Sequence, residues 1–226
     1  MLKKVIIAID GPAGSGKSTA AKNIAQNLDF IYLDTGAMYR AITYLALRNG
    51  IVENIPAVIE LTQKISLKVK FENNVTRVFV DGEEVTDNIR TPDVNSKVSE
   101  ISTIPEVRSE LVKIQKKLGE EADIVAEGRD VTTVVFPYAD VKIFMTASVE
   151  ERAKRRFKEF QEKKADITLE EVKENIEKRD KIDSERSISP LKKADDAIEF
   201  DNTGLSINDE LDLLLNIVKV SQLKKT

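Results

Sequence analysis

Neither cysteine nor histidine occurs among the 226 residues, and the two absences narrow the chemistry at once. Without cysteine there is no disulfide framework and no thiol nucleophile. Without histidine there is no imidazole base, no Ser-His-Asp triad and no His-x-x-x-His zinc site. Any metal is therefore a hard cation held by oxygens. Positive charge is not in excess either: 35 Lys and Arg stand against 39 Asp and Glu, a net charge of −4. That balance argues against nucleic acid as a partner, although local basic clusters remain available. No apolar run approaches the length of a membrane span. The opening Met1-Leu2-Lys3-Lys4 resembles a signal peptide only superficially. Five apolar residues precede Asp10, fewer than the roughly 7–15 of a signal-peptide core. A soluble chain is expected, and the lack of cysteine is compatible with the cytoplasm, its expected location.

What is present begins at Ile9-Asp10-Gly11-Pro12-Ala13-Gly14-Ser15-Gly16-Lys17-Ser18-Thr19. This stretch matches G-x-x-x-x-G-K-[ST], the phosphate-binding loop or P-loop. Its glycines let the backbone curl until successive N–H groups face an anion. Lys17 can reach the β- and γ-phosphates, and Ser18 can ligate Mg²⁺. Context supports the match. An apolar run up to Ile9 reads as a buried parallel strand, and Ala20, Ala21, Ile24, Ala25 and Leu28 form one face of a following helix. The helix N-terminus would meet the phosphates.

Further along, Phe30-Ile31-Tyr32-Leu33 reads as a second strand ending at Asp34-Thr35-Gly36, with a helix from Ala37 to Arg48 and another opened by Pro56. At Leu67 the apolar period changes from 3.6 to 2. Leu67, Val69 and Phe71, then Val78 and Val80, alternate with polar residues around turns at Asn73-Asn74 and Asp81-Gly82. A parallel core does not place an antiparallel meander between its own strands, so 66–88 is expected to be an inserted unit covering the substrate. Helices over 91–102 and 105–118 lead to a strand, Ile124-Val125-Ala126. Val141 to Met145 is another strand, followed by helices over 148–160 and 168–184. A last strand, Ala197 to Phe200, precedes a closing helix with Ile207, Leu211, Leu214, Leu215 and Val218 on one face. Strands alternating with helices predict an α/β chain with a three-layer core and a parallel sheet, ligands sitting at the carboxyl ends of the strands.

Three features refine the site. Asp34 and Thr35, and Glu127, Arg129 and Asp130, follow predicted strands, where α/β ligand sites are built. Arginines recur at Arg40, Arg90, Arg108, Arg129, Arg152, Arg155, Arg156, Arg179 and Arg186, and phosphoryl transfer is largely positioning plus charge neutralisation. For Arg152, Arg155 and Arg156 the alternative is a solvated helix face paired with Glu150 and Glu151. Arg179 and Asp183 share a helix face at i, i+4, which suits either an internal salt bridge or a nucleotide's ribose and phosphates.

Together these residues resemble the bacterial-type cytidylate kinases, a family of P-loop nucleoside monophosphate kinases. The shared stretches are Ile9 to Ser18, Asp34-Thr35-Gly36-Ala37-Met38-Tyr39-Arg40, Glu127-Gly128-Arg129-Asp130 with Thr133-Val134-Val135-Phe136-Pro137, Val141 to Ser148 through Glu151-Arg152-Ala153-Lys154-Arg155-Arg156, and Arg179-Asp180-x-x-Asp183-x-x-Arg186. The resemblance runs nearly end to end over a single domain, 1–226. It implies transfer of the γ-phosphoryl of MgATP to CMP and dCMP, by a monomer in pyrimidine nucleotide metabolism, with no nucleic-acid or membrane partner. Gly11, Gly14, Ser15, Gly16, Lys17, Ser18 and Thr19 would hold ATP, with Ser18 on Mg²⁺. Lys17, Arg129, Arg152 and Arg156 would act in catalysis. Thr35, Arg40, Ser99, Arg108, Arg129, Asp130, Arg179, Asp183 and Arg186 would surround the monophosphate. The meander at 66–88 would extend the monophosphate-binding region, and 152–166 would form a short lid. One position departs from the family: Thr132 stands where glycine is usual, and a side chain there is expected to alter the local backbone that aims Asp130.

The chemistry agrees with cytosine, whose N4 amino group suits the Asp130 carboxylate while N3 and O2 accept from an arginine such as Arg108. The nearest alternative is another small P-loop kinase, for UMP, AMP, GMP or a small metabolite. The Asp-Gly-Phe-Pro-Arg stretch expected of an adenylate kinase is missing, as is the Asn-Lys-x-Asp motif expected of a GTPase switch.

Overall fold

The computed structural model describes residues 4–72, 75–162 and 166–223. Strand β1 (Ile6–Asp10) is buried at every position, as a strand covered on both faces must be. The P-loop leads from it into helix α1 (Lys17–Leu28). Strand β2 (Ile31–Asp34) ends one residue later than its apolar run suggests, because Asp34 closes the strand and then caps helix α2 (Thr35–Arg48), accepting from Ala37 N. Helix α3 (Ile55–Lys64) starts from an Asn54 cap with proline in its first turn.

The period-2 segment folds as the antiparallel strands β3 (Leu67–Glu72), β4 (Val75–Val80) and β5 (Glu83–Glu84). The turn expected at Asn73-Asn74 lies outside the described residues. Between β4 and β5, Asp81 and Gly82 both take positive φ (51° and 88°), the geometry of a two-residue hairpin turn. Leu67, Val78 and Val80 join the main hydrophobic core, so the small sheet is packed onto the body of the protein.

Helices α4 (Pro92–Ile101) and α5 (Pro105–Glu121) follow, each with proline in its first turn. Strand β6 (Ile124–Gly128) then runs two residues past its apolar stretch, taking in Glu127 and Gly128. One turn of π-helix, Val131–Val135, comes next, a feature the periodicity does not announce. Strand β7 (Val141–Thr146), helices α6 (Val149–Glu162) and α7 (Leu169–Glu185), strand β8 (Ile198–Asp201) and helix α8 (Ile207–Leu223) complete the described chain.

The five long-range strands form one parallel sheet in the order β2-β6-β1-β7-β8. Its two faces carry separate cores. Ile6 and Ala8 of β1 face Leu33, Met38, Ile42 and Leu111, whereas Ile7 and Ile9 face Ile24, Val125, Ile143 and Leu214. Alternation along one strand therefore places helices on both faces, the three-layer arrangement expected. Helices α6 and α7 pack on each other through a third cluster, Ala153, Val172 and Ile176. Among the described residues no helix is long and apolar enough to cross a membrane.

Candidate active site

A cavity of about 520 Å³ opens at the carboxyl ends of the parallel strands. The P-loop forms its floor. Gly16 holds φ at +86°, and a Cβ on Gly11 would stand 2.1 Å from the Met145 carbonyl oxygen, so both positions require glycine. Gly14, Gly16, Lys17, Ser18 and Thr19 line the cavity, whereas Gly11 and Ser15 do not. Ser15 Oγ is buried without a hydrogen-bond partner among the described residues. Lys17 Nζ donates to the Pro12 carbonyl at 3.0 Å. Burial, and then the charge of Arg129, pull its pKa down to about 7. An incoming phosphate would restore the ammonium.

Ser18 Oγ donates to Glu127 Oε1 at 2.7 Å, and Tyr32 Oη donates to the same oxygen at 3.2 Å. Burial and the nearby Asp34 raise the Glu127 pKa. This donor set is all oxygen, with lone pairs left on the Ser18 hydroxyl and on Glu127. It fits a hard cation that takes its remaining ligands from water and phosphate.

Around the opposite wall the cavity is rich in guanidinium groups. Arg129 Nε donates to Asp183 Oδ2 at 2.7 Å. Burial raises the Asp183 pKa, but the charge and hydrogen bond of Arg129 together with the charges of Arg186 and Arg179 outweigh it and hold the carboxyl below its usual range. Arg40 and Arg179 line the same wall with no ion pair among the described residues. Arg179 Nε is buried and has no hydrogen-bond partner among the described residues. Burial, Arg129 and Arg40 pull the Arg179 pKa down to about 9, so it remains a cation at neutral pH. Cations held this close repel one another unless an anion sits between them.

Deeper in, Arg108 and Asp130 form a buried ion pair, 2% and 5% exposed, and Arg186 Nη2 stands 3.5 Å from Asp130 Oδ1. Arg108 Nη1 donates to the Ser102 carbonyl at 3.0 Å. Its guanidinium lies 5.2 Å over the Tyr39 ring, and the Tyr39 hydroxyl has no hydrogen-bond partner among the described residues. Asp130 takes its position from the π-turn behind it. The buried Asp10 carboxylate accepts from Val131 N at 2.8 Å, from Thr132 N at 2.7 Å and from Thr132 Oγ1 at 2.6 Å. Thr132 Oγ1 thus adds a third donor to a carboxylate whose pKa burial raises to about 6. Thr35 lies beside this wall, donating to the Glu127 carbonyl at 2.7 Å.

Of the residues expected at the site, Gly14, Gly16, Lys17, Ser18, Thr19, Thr35, Arg40, Ser99, Arg108, Arg129, Asp130, Arg156, Arg179, Asp183 and Arg186 all line the cavity. Arg152 does not. It is 5% exposed and lies behind the P-loop, donating to the carbonyls of Ala147 and Ala13. Spacing on α6 shows which arginines share a face, not whether that face meets the cavity or the loop's far side. The cavity wall at that point is Arg155 and Arg156. Arg155 reaches Asn202, whose Nδ2 donates to the Ser15 carbonyl at 3.0 Å. Among the lining residues outside the expected set are Tyr39, Asp34 and Arg90, the last two bonded at 3.2 Å. Asp34 is placed at a strand end by the sequence, where ligand sites are built, whereas nothing in the spacing distinguished Tyr39 or Arg90. The expected lid, 152–166, is seen only in part, since 163–165 lie outside the described residues.

A parallel sheet with helices on both faces, a P-loop after its central strand and an arginine-lined cavity above it define a P-loop phosphotransferase. The comparisons with known proteins are more specific. The family described as Cytidylate kinase matches residues 7–220. The cytidylate kinase of Enterococcus faecalis is 50% identical over 96% of both chains. That of Anoxybacillus flavithermus is 49% identical over 97% of this chain and 98% of its own. An uncharacterised protein from Eubacterium ventriosum shares the fold, with a TM-score of 0.55 at 12% identity over 96% of this chain and 99% of its own. The chain belongs to the cytidylate kinase family and is a kinase.

Proposed function

We propose that this enzyme transfers the γ-phosphoryl group of MgATP to CMP, and to dCMP, giving ADP and CDP or dCDP. One observation carries the reading. One cavity joins a P-loop, and Arg40 and Arg179 with no ion pair among the described residues, all suited to phosphates, to a buried Arg108–Asp130–Arg186 cluster suited to a polar base.

In the reaction an oxygen of the CMP phosphate attacks the γ-phosphorus, and the bond from that phosphorus to the bridging oxygen of ADP breaks. The acceptor oxygen is already anionic, so no general base is required. Lys17, Arg129 and Arg156 carry the charge that develops, and Arg40 and Arg179 orient the acceptor's phosphate. Mg²⁺, held through Ser18 with Glu127 behind it, supplies charge neutralisation when bound. Asp183 faces the sugar. Ser99, Arg108, Asp130 and Arg186 face the base, with Asp130 accepting from N4. The β3–β5 sheet belongs to the monophosphate-binding region, and the segment 152–166 to a lid that closes against water. The enzyme works as a monomer in the cytoplasm, in pyrimidine nucleotide metabolism. A coupled assay offering ATP with CMP, dCMP, UMP, AMP and GMP tests the reading. CMP and dCMP should dominate in kcat/KM, and a preference for any purine would overturn it.

A further inference from the structure

The P-loop is gripped from behind at one residue, through the two peptide units that flank its Cα. Ala13 N donates to Asp180 Oδ1 at 3.0 Å, and the Ala13 carbonyl accepts from Arg152 Nη1 at 2.9 Å. The same Arg152 nitrogen also donates to Asp180 Oδ2. A closed ring results, in which a carboxylate and a guanidinium read both polar groups of one residue. The ring is fixed on its outer side by Arg152 Nε, which donates to the Ala147 carbonyl at 3.0 Å, just past β7. It is also close to the loop: a Cβ on Gly14 would stand 3.2 Å from the Arg152 carbonyl oxygen.

The two ring side chains come from α6 and α7, the mutually packed helices. On α7, Asp180 sits between Arg179 and Asp183, both of which line the cavity on its acceptor side. A helix advances about 100° per residue. Asp180 therefore points toward the loop from the same turn that presents its neighbours to the monophosphate. A rigid helix cannot move Arg179 and Asp183 toward a bound nucleotide without moving Asp180. Asp180 in turn cannot move without disturbing the peptide units on either side of Ala13, at the start of the ATP-binding loop.

We propose that Asp180, with Arg152 as its partner, is a positioning residue that couples the two nucleotide sites. Filling the acceptor site shifts α7, and the ring passes that shift to the P-loop. Such coupling is reciprocal: each nucleotide tightens the other by the same factor. Neither Asp180 nor Arg152 lines the cavity, whereas Ala13 does.

The test is calorimetric titration of the whole protein with a non-hydrolysable MgATP analogue, alone and in saturating CMP, and the reverse titration. Wild type should show each nucleotide tightening the other at least about fivefold. In Asp180→Asn the shape is kept but the charge facing Arg152 is lost. That variant should bind CMP alone within about threefold of wild type, with the coupling factor reduced to below twofold. Arg152→Lys keeps the charge and loses the fork, and it should lower the factor as well. It also decides the matter if Asp180→Asn does not fold. A merely structural ring would lower the melting temperature and leave the factor unchanged. An unchanged factor in either folded variant, or no coupling in wild type, overturns the proposal. Because it rests on ATP and CMP as substrates, wild-type turnover is measured alongside. Failure to form CDP defeats the functional reading and this proposal with it, whereas normal turnover with unchanged coupling defeats the ring alone.

Discussion

Replacing Asp130 with asparagine tests base recognition without changing the shape of the pocket. Asp130 is 5% exposed and lies between Arg108 and Arg186, so its charge has two partners before any substrate arrives. Removing that charge leaves two guanidinium groups facing one another in a buried site. Breaking a buried pair costs roughly 3 kcal/mol. For a chain of this size that lowers the melting temperature by about 6–12 °C. The loss of stability is shared by every substrate and cancels in a ratio. The difference between bases does not cancel. With CMP a charge-assisted bond to N4 becomes a neutral one, a loss of about 1.4 kcal/mol. With UMP the amide can turn its NH₂ group toward O4 and recover a bond. The ratio of CMP to UMP kcat/KM should therefore fall about tenfold or more. Steady-state kinetics with both substrates, well below the melting temperature, measure it. An equal fall for the two pyrimidines refutes the reasoning and assigns Asp130 to holding Arg108 and Arg186 instead.

Other outcomes follow from the same geometry. Lys17→Ala should remain folded and lose at least about a hundredfold in turnover, since one preorganised charge in a dry site is worth roughly 3 kcal/mol; near-normal turnover in the folded variant would refute the role of Lys17. Thr132→Val removes one of three donors to the buried Asp10 carboxylate, and thermal denaturation should show a loss of about 1–3 kcal/mol; Thr132→Ser, which keeps the hydroxyl, should lose less. Hydrogen exchange of the β3–β5 sheet and of 152–162 should slow when CMP and a non-hydrolysable ATP analogue are both bound. Unchanged exchange in both segments would make them static.

Much of the architecture is written in period alone. The change from 3.6 to 2 at Leu67 locates the small sheet, because an alternating pattern buries one face only when the chain is extended. Helix starts at Ile55, Pro92 and Pro105 are legible from proline, whose fixed φ suits a first turn. The P-loop is legible because its backbone geometry demands glycine at particular places. The π-turn after Asp130 is not, since what creates it is the carboxylate of Asp10, 121 residues away from Val131 in sequence. Arg152 marks the same limit. Its helix, its neighbours and its charge are evident from the chain, but which side of the P-loop it faces depends on how α6 leans on α7. Arg90 meets Asp34 only because the small sheet packs against the main core.

The strand order carries a consequence for how the chain is made. Strand β1 is central, hydrogen-bonded to β6 on one side and β7 on the other. Both neighbours are encoded more than a hundred residues later. During synthesis at about 5–20 residues per second, this apolar segment waits on the order of ten seconds with both edges open. Neither β2 nor α1 can supply the missing hydrogen bonds, because β2 itself pairs only with β6. The ribosome thus releases this apolar strand first and both of its partners more than a hundred residues later. Arrival of Ile124–Gly128 is the decisive event, since that one strand closes onto β1 and β2 together. A nascent chain stalled before this point should need a chaperone, and one stalled after Thr146 should need it far less.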